Sequence, residues 1–214
     1  MTTGLPEPAP GPRPSGHDRR RERSRTAILE AAVALFQDQG VRATRVEDVC
    51  AQADVALRTF FNHFETREHL YQAIGLRRAE QLAANLRALC DDPRPFDARL
   101  RGFLRETAAY LAARPLYREL VGEMLNRRVD GSSEITRTGT LGQAARSFVA
   151  SGIERGEVSA RHAPEVLADI LIGCLITALT NWTAREDYAL TVELEAGADA
   201  LLDLFVPASR ATGA

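Results

Sequence analysis

The chain has 214 residues, of which 45% are hydrophobic and 26% charged, and its formal net charge at pH 7 is −2. This composition is that of an ordinary globular protein and excludes disorder throughout. The near-neutral charge gives no global indication of a nucleic-acid or membrane partner. All 27 basic residues are arginine, so every cationic side chain is a planar fork that can bind phosphate or guanine through two hydrogen bonds.

Residues 1–18 carry prolines at alternate positions and almost no apolar side chains, which predicts a disordered N-terminal tail. Residues 19–25, with the sequence RRRERSR, hold the densest positive charge in the chain. Such a run is either the solvated start of a helix or a basic arm that follows a DNA backbone or enters a minor groove. The charge run alone does not decide between the two.

Three short helices are predicted next. Apolar residues at helical spacing indicate a first helix near 25–38 that ends at Gly40. A second helix is predicted from Thr44 to Ala53, with Thr44 as the cap of a Thr-x-x-Glu capping box. Residues 54–56 then form a tight turn, and a third helix covers residues 57–63.

The third helix is the most informative segment. Its apolar residues fall on about one third of the helical circle and are expected to be buried: Leu57, Phe60, Phe61 and Phe64. A short amphipathic helix after a tight turn is typical of a helix-turn-helix. On its polar side, Arg58 could bind guanine and Asn62 adenine, and the remaining polar residues suit phosphate or base-edge contacts: Thr59, His63 and Arg67.

Longer helices follow to the end of the chain, and no alternating pattern indicates a strand. They are predicted near residues 67–89, 96–113, 115–128, 134–154, 164–185 and 192–205. Pro95, Pro115 and Pro164 suit helix starts, where the missing N–H is not needed. The predicted fold is all-α, with three short helices followed by a larger bundle.

The helix predicted at 164–185 is apolar on almost every side, so it must be buried on every side. Either it is the central helix of a monomer, or it forms a four-helix dimer interface with the helix at 192–205. We favour the dimer. The candidate interface residues are Leu167, Leu171, Leu175, Leu201 and Phe205.

Large side chains on the bundle helices are candidates for a ligand pocket, although aromatic residues at helical spacing are more often plain core. Two polar residues on the apolar helix are added as polar contacts, and the lining suits an apolar or aromatic small molecule. The candidates are Phe103, Tyr110, Tyr117, Met124, Phe148, Thr177, Asn181 and Trp182.

Residues 25–70 resemble the tetracycline-repressor (TetR) family. The matching segments are RTAILEAAVALF from Arg25, Gly40, TRVEDV from Thr44, TFFNHF from Thr59 and REHL from Arg67. The resemblance implies a homodimeric transcriptional regulator, usually a repressor, that binds double-stranded DNA. It implies a DNA-binding domain at 19–66, including the basic arm, a ligand-binding and dimerising domain at 67–206, and a flexible C-terminus at 207–214.

The family pattern implies that three residues face bases or the nearby backbone: Arg58, Asn62 and His63. It implies that four others position phosphates: Thr44, Arg45, Thr59 and Arg67. Three residues depart from the family pattern. Asp54 replaces the turn glycine, and aspartate tolerates the left-handed conformation that this position requires. Phe61 replaces a tyrosine whose hydroxyl contacts phosphate in relatives, and Arg45 replaces a threonine.

Other function classes have little support. The four histidines have no zinc-protease or di-iron spacing, and the chain has neither a Gly-rich phosphate loop nor a Gly-x-Ser-x-Gly elbow. We therefore expect no enzyme, cofactor or metal. The alternative is a helical ligand carrier or protein-interaction module without sequence-specific DNA binding.

Cysteine usage and the lack of targeting signals bear on location. Cys50, Cys90 and Cys174 are odd in number and lack C-x-x-C spacing, which is typical of a reducing cytosol. The N-terminus lacks the apolar core of a signal peptide. The longest apolar stretch, Ile170 to Leu179, is about half of the ~20 residues that a membrane span needs. We expect a cytoplasmic protein with no membrane partner.

Overall fold

The structure is a computed structural model that describes residues 15–126 and 139–206, and within these ranges every regular element is an α-helix. The elements are α1 (Gly16–Gln39), α2 (Val46–Gln52), α3 (Leu57–His63), α4 (Arg67–Ala88), α5 (Phe96–Ala112), α6 (Pro115–Asn126), α7 (Thr140–Glu154), α8 (Pro164–Ala184) and α9 (Leu190–Phe205). The predicted all-α fold is confirmed. The predictions for residues 1–14, 127–138 and 207–214 lie outside the described ranges.

The first helix begins about nine residues earlier than predicted. The backbone N–H of Asp18 donates to the Ser15 hydroxyl (3.1 Å), and the Ser15 N–H donates to the Asp18 carboxylate (3.0 Å). This capping box satisfies N–H groups that a helix start leaves unpaired. The arginine run at 19–25 is therefore helical and not an extended arm. As predicted, α1 ends at Gly40, whose φ of 87° suits glycine.

The predicted start of the second helix is wrong by two residues. Thr44 does not cap α2; its buried hydroxyl donates to the Gly40 carbonyl (2.9 Å). Arg45 takes the cap position, and its backbone N–H donates to the Asp48 carboxylate (3.2 Å). The turn after α2 forms as predicted, because Asp54 adopts a left-handed φ of 52°.

The helices of the bundle pack closely in pairs, with α4 on α7, α7 on α8, and α9 on both α5 and α8. Phe96 of α5 stacks on Phe148 of α7 with ring centroids 4.8 Å apart. A Cβ atom at Gly152 would meet the Phe96 ring at 2.8 Å, so glycine lets these helices approach. Pro115 and Pro164 begin α6 and α8, and Pro95 is the cap of α5, as predicted.

One fully buried arginine lies in this core. Arg99 of α5 donates to the Leu89 carbonyl (2.8 Å) and forms an ion pair with Glu157. Its guanidinium carbon lies 5.4 Å from the centroid of the Phe148 ring. Arg99 thus ties the loop after α4 to the loop after α7. Sequence reasoning did not single it out, because its helical position gives no sign of its partner 58 residues away.

The apolar helix α8 has 21 residues, and an 18-residue stretch of it reaches a mean hydropathy of 1.6, which by length and composition alone would suit a membrane span. Its inner residues pack against α6, α7 and α9, the setting of a central helix in a helical bundle. The feature is therefore explained by the fold that the chain adopts.

The five residues predicted at a dimer interface are instead buried inside the chain. Leu167, Leu171 and Leu175 of α8 and Leu201 and Phe205 of α9 are each at most 4% exposed. They form the contact between these two helices and the rest of the bundle, so they are not free to touch a second copy. The apolar side chains that α8 and α9 leave exposed are different ones: Val166, Ile170, Val192 and Leu204.

Candidate nucleic-acid interface

The outward face of α3 combines two polar and two apolar side chains. Arg58 and Asn62 are exposed, as predicted. Leu57 and Phe61, predicted to be buried, are 43% and 47% exposed. The reason is that α1 and α2 cover only one side of this short helix, whereas its apolar residues extend around a wider arc. The exposed face therefore repeats at i, i+1, i+4 and i+5.

Two phenylalanines anchor the opposite side of α3. Phe60 and Phe64 are 0% and 2% exposed, and their ring centroids are 5.7 Å apart. Burial of each ring contributes about 1.5–3 kcal/mol, which a helix of fewer than two turns needs because it is not stable alone. The anchor holds the exposed face in a fixed orientation relative to α1.

The basic start of α1 lies beside the end of α3. The guanidinium carbon of Arg25 lies 4.9 Å from the centroid of the Phe64 ring. Burial lowers the pKa of His63, and the positive charges of Arg21 and Arg25 lower it further. His63 is thereby favoured as a neutral imidazole, which can donate one hydrogen bond and accept another. The positive charge at this end of α3 comes from α1.

The other predicted DNA contacts differ in how free their side chains are. Arg45, at the cap of α2, is exposed, and Thr59 is half-buried. The Arg67 guanidinium donates to the Val41 carbonyl and lies 5.6 Å from the centroid of the Tyr71 ring. Since the Thr44 hydroxyl is also bonded internally, Thr44 and Arg67 fix the loop before α2 in this structure.

The exposed face of α3 has the chemistry of base readout in a major groove. An arginine fork matches the two acceptors of guanine, an asparagine amide matches the donor and acceptor of adenine, and an apolar ring can contact the thymine methyl group. Arg58, Asn62 and Phe61 offer these groups side by side on one helix. Among residues 15–126 and 139–206, no group of three His, Cys, Asp or Glu side chains is placed to hold a metal ion.

The described residues that were predicted for a ligand pocket do not all line one cleft. Tyr110 and Tyr117 line a cleft of about 320 Å³ between α1, α4, α5 and α6. The others lie elsewhere: Phe103, Phe148 and Trp182 are buried in the bundle core, Asn181 is half-buried and Thr177 is exposed. The side chain of Met124 lies outside the described residues. The cleft also contains Arg77 and Arg78, which the sequence patterns did not indicate.

Comparison with known proteins finds a family that matches the first helices of the chain. The family described as bacterial regulatory proteins, tetR family, matches residues 28–74, which span most of α1, all of α2 and α3, and the start of α4. UidR of Escherichia coli (strain K12), an HTH-type transcriptional regulator, is 25% identical over 167 residues, which are 76% of this chain and 85% of that protein.

Two further relatives extend the similarity over the bundle. The HTH-type transcriptional repressor KstR of Mycolicibacterium smegmatis is 25% identical over 183 residues, covering 84% of this chain and 87% of KstR. The crystal structure of Thermus thermophilus FadR, a TetR-family repressor in complex with lauroyl-CoA, superposes with a TM-score of 0.67 at 23% identity and covers 89% of this chain and 100% of FadR. These relatives are regulators and not enzymes. The match at residues 28–74 and the similarity to these relatives over most of the chain support a transcriptional regulator of the tetR family.

Proposed function

We propose that the protein is a dimeric repressor that binds a palindromic operator through α3 and is released by a small ligand in its helical domain. The exposed face of α3, held by Phe60 and Phe64, is the observation that carries the DNA-binding half of this proposal. Base contacts would come from Arg58 and Asn62. The proposed domain bounds are 19–66 for DNA binding and 67–206 for the ligand and the partner copy.

Phosphate contacts would come from the residues that flank this face. Arg45 precedes α2, and Thr59 and His63 lie at the sides of α3. The helical start of α1 adds the arginines of residues 19–25, because Arg25 lies against Phe64. Thr44 and Arg67 act by positioning the loop before α2, since their polar atoms already have protein partners. This arrangement predicts binding that weakens as salt rises.

The proposed dimer surface is the outer face of α8 and α9. Along α8, the exposed residues at helical spacing are Val166, Ile170, Gly173 and Thr177. Along α9, the corresponding row is Val192, Ala196, Ala200 and Leu204. Small residues in the middle of each row let helices approach closely, and exposed apolar rows on adjacent helices are typical of protein interfaces. Four helices, two from each copy, would bury them.

Two copies related by a twofold axis would present two α3 helices to DNA. Such dimers read half-sites about one helical turn apart, ~34–36 Å, or a multiple of it. A ligand that favours a different spacing of the two helices would release the operator. The loss of DNA affinity cannot exceed the ratio of the ligand's affinities for the two conformations. We also infer a cytoplasmic location, as expected for a regulator that binds DNA.

Selection of bound fragments from randomised and genomic DNA at two salt concentrations tests the proposal. The wild-type protein should enrich a palindromic consensus that Arg58→Ala loses. Arg105→Ala, which removes an exposed arginine of α5, is the matched control and should keep the consensus. Sequence-blind, salt-sensitive enrichment would contradict base readout by α3. No enrichment at either salt concentration would favour a ligand carrier or protein-interaction module, for which Leu57 and Phe61 would be contact residues.

A further inference from the structure

Two tyrosines and Arg78 line the cleft between α1, α4, α5 and α6, and a second arginine, Arg114, contacts one of these tyrosines from outside the lining. The guanidinium carbons of Arg78 and Arg114 lie 3.8 and 3.9 Å from the centroid of the Tyr110 ring. The hydroxyls of Tyr110 and Tyr117 are 3.2 Å apart. Two guanidinium groups thus contact the same aromatic ring. Because like charges repel, a negative charge close to them would stabilise this arrangement.

No acidic side chain in the described ranges supplies that charge. Neither Arg78 nor Arg114 forms an ion pair with a described residue. The Nε atom of Arg78 is buried without a hydrogen-bond partner, and its Nη1 reaches only the amide oxygen of Gln81 at 3.5 Å. Burial and the charge of Arg114 lower the pKa of Arg78, yet a guanidinium stays protonated. The cleft therefore contains an uncompensated cation.

One carboxylate does line the cleft, but it already has a partner. Glu30 of α1 lies 3.7 Å from a guanidinium nitrogen of Arg77, and both side chains are largely exposed. The positive charge of Arg77 and the negative charge of Glu30 therefore cancel each other. This pair leaves the charge of Arg78 unbalanced, and Arg114 contacts the same Tyr110 ring.

The remaining wall of the cleft is mixed, with Gln37 and Gln81 beside an apolar strip. Leu29 and Val33 of α1 and Ile74 of α4 line it. The volume of about 320 Å³ is at the lower end of the range for small-molecule sites. A ligand that fills it would need an apolar body against α1 and α4 and an acidic group at Arg78.

We propose that this cleft binds a small organic carboxylate, whose carboxylate accepts hydrogen bonds from Arg78 and from one of the two paired tyrosine hydroxyls and whose apolar body packs against Leu29, Val33 and Ile74. A guanidinium fork matches a carboxylate through two hydrogen bonds. Burial and the Tyr110 hydroxyl raise the pKa of Tyr117 to about 12, so this phenol stays protonated and can donate. The further step, that this carboxylate releases the protein from its operator, rests on the proposed function.

Calorimetric titration of the full-length protein with octanoate and benzoate, at fixed ionic strength, tests the site. Octanamide and benzamide are the neutral analogues, and inorganic phosphate is the anion without an apolar body. At least one acid should bind about tenfold or more tighter than its amide, since a hydrogen bond to a charged group contributes about 1.5–3 kcal/mol. Arg78→Gln should remove this difference. Tyr117→Phe should reduce it, and Arg105→Gln should keep it.

Three outcomes would overturn the site: binding of neither acid, equal binding of acid and amide, or an unchanged preference in Arg78→Gln. Phosphate binding as tight as that of the acids would also contradict an organic carboxylate. Thermal unfolding of each variant reports whether it is folded. Operator binding with and without the bound acid separates the two proposals, because a failure of the wild-type protein to bind DNA counts against the proposed function alone. A bound acid that leaves DNA affinity unchanged overturns only its role as effector.

Discussion

Arg25 lies over the ring of Phe64, with its guanidinium carbon 4.9 Å from the ring centroid. This contact joins the first helix of the chain to the last residue that anchors α3. It places the basic start of α1 next to the face proposed to read DNA. The arginines of this segment thus act as part of the folded domain, and the domain is more basic at this edge than its sum of charges indicates.

The phenylalanine at position 61 offers a gain-of-function prediction. Phe61 is 47% exposed on the face of α3, so Phe61→Tyr adds a hydroxyl without disturbing the core. A tyrosine hydroxyl that reaches a phosphate contributes about 0.5–1.5 kcal/mol and carries no sequence information. We expect DNA affinity to rise by about two- to tenfold, equally for operator and scrambled duplexes. Fluorescence anisotropy with both duplexes measures this; a gain confined to the operator would show that the hydroxyl reads a base.

The outer row of α8 and α9 predicts how the oligomeric state responds to charge. Ile170→Glu and Val192→Glu place a carboxylate in the proposed dimer surface, where burying an unpaired charge is unfavourable. Both variants should shift the mass measured by light scattering toward that of one chain. Leu76→Glu, on an exposed position of α4, is the control and should not change it. A dimer that survives both substitutions would place the interface elsewhere.

The buried arginine of α5 predicts a large loss of stability. Arg99→Met leaves Glu157 without its partner and the Leu89 carbonyl without its donor. Removal of one partner of a buried ion pair destabilises by about 3–5 kcal/mol. Arg101→Met breaks the exposed pair with Asp199 and should change the free energy of unfolding by about 1 kcal/mol or less. Urea unfolding of both variants gives the comparison, and equal losses would contradict it.

The pKa of His63 predicts a pH dependence of stability. Burial, Arg21 and Arg25 lower this pKa in the folded protein below its usual 6.5, so the unfolded chain binds the proton more readily. The contribution of His63 to stability is therefore full above about pH 6.5 and decreases as pH falls toward the folded-state pKa. His63→Gln should flatten the stability profile in that window. His69→Gln, at an exposed position of α4, should leave the profile unchanged.

Sequence periodicity predicts where most helices begin and end, but it does not predict which side of each helix is buried. The bounds of α3, α4, α5 and α8 differ from prediction by at most one residue, because regular apolar spacing and proline positions define them. The start of α1 was missed because Ser15 and Asp18 form a capping box ahead of the charge run. Thr44 was misassigned because its hydroxyl has a competing acceptor, the Gly40 carbonyl, four residues earlier.

The sites depended on tertiary contacts that no local pattern encodes. The apolar residues on every side of α8 indicate that every side is covered. They do not indicate which leucines pack inside the chain and which would contact a second copy. Leu57 and Phe61 share an apolar arc with Phe60, and only the placement of α1 and α2 decides which of them remain exposed. The cluster around Tyr110 joins α4, α5 and the start of α6. Its arginines lie 36 residues apart in the sequence (Arg78 and Arg114).

The unbroken length of α1 has a mechanical consequence. At 1.5 Å per residue, its 24 residues form a rod about 36 Å long. Leu29, in the wall of the cleft, is one turn from Arg25, which contacts the anchor of α3. Residues 16–39 contain no proline, a common cause of sharp kinks in helices, so a tilt at one position of α1 is passed along the helix. A small angular change at the cleft would swing the face proposed to read DNA through an arc, in opposite senses in the two halves of the proposed dimer.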